Sequence, residues 1–392
     1  MARRETPAAG PGSRALIVDV IRSAASISRV ELAERTGLTQ PSISNIVRDL
    51  IADGIVHETG SVGSARGKPR QLLALTPATR FGIGFQLGPE TVTCVAIDLT
   101  GGVVGRQVVP LDDSELADQL AERFDDFMLD LDLPRDRIEG LAVVAPAAPP
   151  SDREGRPEWA SARRALAERL GIPVLVENDA AAAALGEFWT RRVSREQAFG
   201  SVYLSAGVGA GLVFGGALFR GASFDAGELG HMSIVYDGLP CPCGNRGCVE
   251  RYASMTATVD AARAAGLALE QKTVFSAYDA IAQAAVSGDP DAFAVVDQAA
   301  GYLSVAVTSM VNLLDLGRVV LTGPGMAIAG SIYARRLRAH LAATAHARYR
   351  HEIVVELSAQ PRDAAGIGAA ALVVQASIAP GHTAGMPGAD ER

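Results

Sequence analysis

His231, Cys241, Cys243 and Cys248 crowd into 18 residues with the spacing H-x9-C-x-C-x4-C, and they use three of the chain's 4 cysteines. Three thiolates and an imidazole complete a tetrahedral donor set for zinc, with no coordination position left open. The expected ion is therefore structural Zn2+, and the chain around it must fold into a tight knot. Gly244 and Gly247 fall between the last two cysteines, where such a turn needs residues without a Cβ. Glu228 stands three residues before His231, and Glu250 two residues after Cys248. A metal knot flanked by two carboxylates is a clamp that positions acceptors for a hydroxyl-rich ligand. A disulfide framework is disfavoured in a chain this long that nothing marks as secreted.

A length of 392 residues points to two or three domains. The net charge of −8 is unevenly spread: residues 1–76 carry 10 Lys+Arg against 7 Asp+Glu, and the remainder carries 26 against 37. A basic front on an acidic body points to an anionic partner for the front alone. No apolar run approaches the length of a membrane span. The first 13 residues hold two arginines with no apolar core behind them, so no signal peptide is expected. The expectation is a soluble cytoplasmic protein with disordered tails over 1–13 and 379–392.

The front reads as three helices and a wing. Arg14 to Ile27 carries Leu16, Ile17, Val20, Ile21 and Ala24 at helical spacing. Ser28 caps a second helix, Arg29–Thr36, with Glu31 placed for a capping box. After the Gly37-Leu38 turn, Thr39 caps a third helix with Pro41 in its first turn. Ile43, Ile46, Val47, Leu50 and Ile51 form its inward face. The opposite face offers Gln40, Ser42, Ser44, Asn45 and Arg48, donors suited to base edges and phosphates. Ile55–Glu58 and Arg70–Leu75 read as strands around a turn over 61–68, with Arg66, Lys68 and Arg70 as basic wing residues. The order is that of a winged helix-turn-helix binding double-stranded DNA. The competing reading is a three-helix packing domain with a solvated polar face.

From Phe81 the chain alternates strands and helices, which means an α/β fold. Strands are expected over Phe81–Leu87, Thr91–Asp98, Val103–Val109, Ile138–Val144 and Pro173–Glu177, with helices over Ser114–Leu131 and Ala180–Trp189.

Gly227-Glu228-Leu229-Gly230-His231, followed by Cys241-Pro242-Cys243-Gly244-Asn245-Arg246-Gly247-Cys248-Val249-Glu250, resembles the signature of the ROK family. That family holds bacterial sugar kinases and sugar-responsive transcriptional repressors built on one fold. The resemblance spans roughly residues 80–378. It implies a two-lobed ribonuclease-H-like, actin-like sugar-kinase fold over 77–378, preceded by the winged helix-turn-helix domain over 14–76. Lobe one would be about 77–190 plus 362–378, and lobe two about 191–361, with the zinc turn at 231–250. In the family's kinases the position matching Asp179 is the general base, and Asn178, Glu228, His231 and Glu250 match the residues that hold sugar hydroxyls. His231 would use one ring nitrogen for zinc and the other toward the ligand. Asn178-Asp179 also reads as a helix N-cap, and both roles can hold together.

The nucleotide side departs from the kinases. Their first phosphate loop is Asp-x-Gly-x-Thr, and here Gln86-Leu87-Gly88-Pro89-Glu90 replaces the carboxylate and puts Glu90 where a hydroxyl meets phosphate. The second loop, Ser205-Ala206-Gly207-Val208-Gly209-Ala210-Gly211, keeps its glycines and loses a hydroxyl at Ala206. Pro324 intrudes in Leu321–Gly325. On the sugar side, Ala147 and Ala181 stand where Gly and Asn are usual, and the stretch before Trp159 is short. Family regulators place a DNA-binding module before this fold, and the kinases lack it. The resemblance therefore implies a sugar-responsive repressor that binds no ATP and works as a homodimer or homotetramer. The alternatives are an active ATP-dependent sugar kinase and a ligand-independent DNA-binding protein.

Overall fold

The computed structural model of the chain describes residues 11–62, 69–111, 115–146, 157–194, 197–222 and 225–378. The first helix, α1 (Pro11–Ala24), starts three residues earlier than expected and stops short of Ile27. Pro11, Gly12 and Ser13 thus belong to a helix rather than to a tail. Ala25 has φ 61°, which ends the helix, and Ile27–Ser28 forms β1 opposite Leu72–Leu73. α2 (Arg29–Thr36) opens on the complete capping box: Ser28 Oγ accepts from Glu31 N–H, and the Glu31 carboxylate accepts from Ser28 N–H at 2.9 Å. Gly37, at φ 71°, supplies the left-handed turn into α3 (Gln40–Ala52), which Thr39 caps. Ile43, Val47 and Leu50 are buried, whereas Ile51, expected to face inward, is 36% exposed. One residue past Leu50 turns the side chain by roughly 100° on a helix, away from the core.

β2 (Val56–Val62) runs further than the expected Ile55–Glu58, and β3 (Arg70–Leu75) lies where the pattern puts it. The small sheet has the order β1-β3-β2. The tip of the wing at 63–68, with Arg66 and Lys68, lies outside the described residues.

The body holds two five-stranded sheets. The first contains β4 (Phe81–Leu87), β5 (Thr91–Asp98), β6 (Val103–Pro110), β7 (Ile138–Ala145) and β8 (Val174–Asn178), in the order β6-β5-β4-β7-β8. β4 to β6 form an antiparallel meander, and β7 and β8 continue parallel to β4. Side chains alternate between its faces. Phe81, Ile83, Phe85 and Val143 pack on α4 (Leu116–Leu131) and α5 (Pro157–Leu170). Val95, Ile97, Ala142 and Val144 pack on α6 (Asp179–Thr190) and on the last helix of the chain.

The second sheet contains β9 (Phe199–Leu204), β10 (Val208–Phe214), β11 (Ala217–Leu218), β12 (Arg318–Thr322) and β13 (Val354–Leu357), in the order β11-β10-β9-β12-β13. One face packs on α8 (Met255–Ala264), α9 (Val274–Val286), α10 (Pro290–Leu314) and α11 (Met326–Thr344), which follow the single-turn α7 (Glu250–Ala253). The other face meets α6 through Phe199, Tyr203 and Val213. α10 has a mean hydropathy of 1.3 in its most apolar stretch, and by length and composition alone it is long enough to cross a membrane, unlike anything expected from the sequence. It is a core helix, with Val296, Ala300, Leu303 and Val307 buried among its neighbours.

α12 (Ala364–Ile378) crosses α6 backbone to backbone. A Cβ at Gly368 would lie 1.7 Å from Ala182 O, and one at Gly186 would lie 2.5 Å from Ala364 O. Only glycine at both positions permits this approach. α6 is thus clamped to α12 on one side and laid against the second sheet on the other.

Candidate functional site

Strand β8 delivers Asn178 and Asp179 to the start of α6. Asn178 Oδ1 accepts from Ala180 N–H at 2.9 Å and Ala181 N–H at 3.1 Å, so the residue is an N-cap. Asp179 is only 7% exposed, and its Oδ1 also accepts from Ala180 N–H at 2.8 Å. Burial pushes its carboxyl up to about 6; the Ala180 N–H opposes the shift and the charge of Glu228 adds to it.

Glu228 precedes a single 3-10 turn, Leu229–His231. Gly227 before it has φ 101° and sits so close to β10 that a Cβ would lie 2.0 Å from Ala210 O. Glu228 is raised above the ordinary carboxylate range by burial, with Asp225 and Glu250 adding and His231 opposing. His231 Nε2 lies 3.7 Å from Glu228 Oε2. Glu250, at the start of α7, accepts from Val208 N–H through Oε2 at 3.0 Å. Its carboxylate lies over Gly207, where an added Cβ would sit 2.5 Å from Oε2. Asp179, Glu228, His231 and Glu250 are therefore neighbours where the start of α6 meets the second sheet, linked through the charge of Glu228, which acts with each of the other three.

On the other side of His231, Nδ1 lies 3.6 Å from Cys241 Sγ, and Cys243 Sγ lies 3.8 Å from Cys248 Sγ. All four ligand atoms fall within 4.8 Å of one another. A tetrahedral thiolate site with Zn–S bonds near 2.3 Å has edges of about 3.8 Å. The four donors therefore fit one metal ion. The turn closes through Cys241 N–H to Asn245 O and Gly244 N–H to Cys241 O, with Gly244 at φ 93° and Gly247 at φ 70°. Cys241 and Cys248 are buried and Cys243 is exposed.

Two further residues at this site, Tyr203 and Arg220, carried no recognisable signal in the sequence, and the contacts of Gln86, already marked there as a lost carboxylate, could not be read from it. Tyr203 is buried beneath Asp179, whose charge, after burial itself, raises the phenol well above its ordinary range. Gln86 donates through Nε2 to Tyr203 Oη at 3.2 Å and accepts through Oε1 from Gly366 N–H at 3.1 Å. The position that is a carboxylate in the kinases is thus tied to the second sheet and to α12. Arg220 holds Glu177, the buried residue before Asn178, at 2.9 Å. Their partners lie far away in sequence, and neither a lone polar residue in an apolar strand, as at Gln86 and Tyr203, nor one in the loop after β11, as at Arg220, announces them.

In the front module, Gln40, Ser44, Asn45, Arg48 and Arg70 are exposed. Arg48 donates to Asn45 Oδ1. Ser42 is half-buried and shares a hydrogen bond with the Thr39 hydroxyl at 2.9 Å, so it belongs to the cap of α3.

These features define a class: a winged helix-turn-helix joined to a two-sheet body of the sugar-kinase type. A model described as "Winged helix-turn-helix DNA-binding" matches residues 15–57, and the ROK family model matches residues 83–376. The chain belongs to the ROK family. It is 27% identical over 315 residues to the xylose repressor of Bacillus subtilis (strain 168), covering 78% of this chain and 80% of that protein. A crystal structure of a ROK family transcriptional regulator, described as a homolog of the E. coli MLC protein, superposes with a TM-score of 0.74 at 26% identity and covers 94% of this chain and 96% of that one. A ROK hexokinase from Thermus thermophilus superposes with a TM-score of 0.59 at 28% identity, covering 74% of this chain and 97% of its own.

Proposed function

We propose that this chain is a sugar-responsive DNA-binding transcriptional repressor whose kinase-like body binds a sugar or sugar derivative without phosphorylating it. The observation that carries the reading is the joined architecture. The likeness to the ROK transcriptional regulator runs through 94% of the chain, front module included, whereas the hexokinase accounts for 74%.

The DNA-reading surface is the exposed face of α3 with Gln40, Ser44, Asn45 and Arg48, joined by Arg66, Lys68 and Arg70 of the wing. Ser42 serves the cap and contributes to DNA only at the helix start. The DNA-reading module runs from the start of α1 at Pro11 to residue 76 and the body over 77–378, with the lobes divided near 190 and 361. Homodimers or homotetramers reading a pseudo-palindrome in the cytoplasm complete the picture.

In the body, Asn178 offers its amide N–H, since Oδ1 is spent on the helix. Asp179 and Glu228 accept hydroxyls. Glu250 has Oε2 engaged by Val208, which leaves Oε1 for the sugar. His231 presents Nε2 while Nδ1 faces the thiolates. The metal is structural Zn2+, held by His231, Cys241, Cys243 and Cys248, and it fixes Glu228 and Glu250 on either side of one turn.

Absence of phosphoryl transfer rests on Gln86. Phosphoryl transfer needs metal and charge placed on the phosphates. Gln86 carries no charge, and its amide is committed to Tyr203 and Gly366. The kinase reading has one observation in its favour: a buried Asp179 with a pKa of about 6 is well matched to general-base work near neutrality. The two are separated by incubating the purified chain with ATP, Mg2+ and a panel of hexoses and pentoses. No turnover is expected; turnover that vanishes in Asp179→Asn would overturn the non-enzymatic reading.

A further inference from the structure

Arg22 belongs to α1 of the DNA-reading module, yet it is 3% exposed and its guanidinium enters the body. Nη1 donates to the carbonyl oxygens of Phe188 at 3.2 Å and Trp189 at 3.3 Å, and Nη2 donates to Val193 O at 3.1 Å. Phe188 and Trp189 belong to the last turn of α6, where the helix dipole attracts a cation, and Val193 lies just past its end. The guanidinium carbon lies 4.6 Å from the centre of the Phe188 ring and 5.3 Å from that of Trp189. Asp19 holds the fork from the module side, accepting Nε at 3.1 Å and Nη2 at 2.7 Å. The apolar core is continuous here: Ile17 and Ile21 of α1 lie in one cluster with Phe188, Trp189 and Ile367.

The opposite end of α6 carries Asn178 and Asp179 of the candidate sugar site. The helix of 12 residues is one rigid rod of about 18 Å between the two ends. It cannot flex against α12, because Gly186 and Gly368 leave no side chains to rearrange at the crossing. A ligand that draws Asp179 toward Glu228 and Glu250 therefore shifts the carbonyls that Arg22 holds.

We infer that Arg22 is the positioning residue that transmits the state of the candidate sugar site to the DNA-reading module, through α6. The inference rests on the effector reading above. With Arg22 engaged on the α6 carbonyls, the module sits in one orientation on the body. α6 and α12 move together, and through the fork and the α1–α12 contact they carry the module with them, so the ligand biases two arrangements that differ in DNA affinity.

The test uses the full chain, a DNA fragment it enriches from genomic DNA, and D-xylose, D-glucose and N-acetyl-D-glucosamine as sugar probes. In the wild type, the sugar that raises the melting temperature changes DNA affinity by about tenfold, within the usual range of couplings between sites. In Arg22→Gln the same sugar raises the melting temperature equally, while DNA affinity responds by less than about twofold. An Arg22→Gln chain that responds like the wild type overturns the proposal, and so does a chain that enriches no DNA. If none of the three sugars raises the melting temperature, the effector reading fails, and Trp189 then reports on the contact alone. Trp159→Phe leaves Trp189 as the single tryptophan of the chain's 2. DNA addition shifts its emission, and Arg22→Gln in that background removes the shift; no shift in Trp159→Phe itself overturns the contact's role. Should Arg22→Gln fail to fold, Asp19→Asn loosens the same fork, and an unchanged sugar response there is equally contrary.

Discussion

A carboxyl at the buried end of α6 keeps its proton to higher pH in the folded chain than in the unfolded one, because Asp179 moves from 3.8 to about 6. The sign follows. Its contribution to stability is full below the unfolded value and is lost as pH rises through the folded one. Above both, the buried charge costs about 3 kcal/mol, at 1.36 kcal/mol per pKa unit. Asp179→Asn should therefore be more stable than wild type at pH 8, by about 1–3 kcal/mol, with the gain shrinking toward pH 5. Urea unfolding at both pH values measures this, and a variant less stable at pH 8 would contradict the burial account. The same variant should lose stabilisation by sugar, the expected trade between function and stability. Cys243→Ser should lower bound zinc and disable the sugar response while DNA binding survives, since the metal turn holds Glu228 and Glu250 and does not touch α1 to α3. Metal analysis beside DNA affinity with and without sugar decides it; an unaltered response would refute the link. At this scale the metal quartet was legible because all its members lie within one short segment. Arg22 and Tyr203 were not, because their partners are 166 and 117 residues away and each residue alone looks ordinary; Gln86 stood out as a lost carboxylate, but its partner 280 residues away did not.

Among the elements, α2 and α3 were readable because caps are local chemistry. Ser28 with Glu31, and Thr39 with Pro41, announce a helix start whatever surrounds them. The end of α1 was not readable in this way. Ile27 continues the apolar spacing of the helix, but it is claimed by pairing with Leu73, and no window around Ile27 contains that strand. The crossing of α6 and α12 was likewise hidden, since a glycine in an alanine-rich helix signals nothing until its partner helix is known. Gly368→Ala tests the crossing. The added methyl would meet Ala182 O at 1.7 Å, and overpacking of a tight core costs typically about 1–3 kcal/mol, occasionally more. Denaturant unfolding should show a loss at or above that range, and a neutral substitution would mean that the helices separate readily. Gly186→Ala, facing the same crossing, should behave alike.

At the scale of the whole molecule, the order of a basic winged module and an acidic α/β body was visible in charge and periodicity, and the two lobes came from the family resemblance. The proposed sugar contacts came from the family resemblance, and the structure adds that Asp179, Glu228, His231 and Glu250 are neighbours. The proposed route between the two parts needed three dimensions, since α6 reaches from Asp179 to the Arg22 contact by geometry alone. The central claim is that this molecule reads DNA under the control of a sugar. The most direct measurement is selection of genomic DNA fragments by the purified full chain, with and without a panel of sugars. The account predicts enrichment of a pseudo-palindrome that one sugar abolishes; enrichment of no sequence, or of one that no sugar alters, would contradict it.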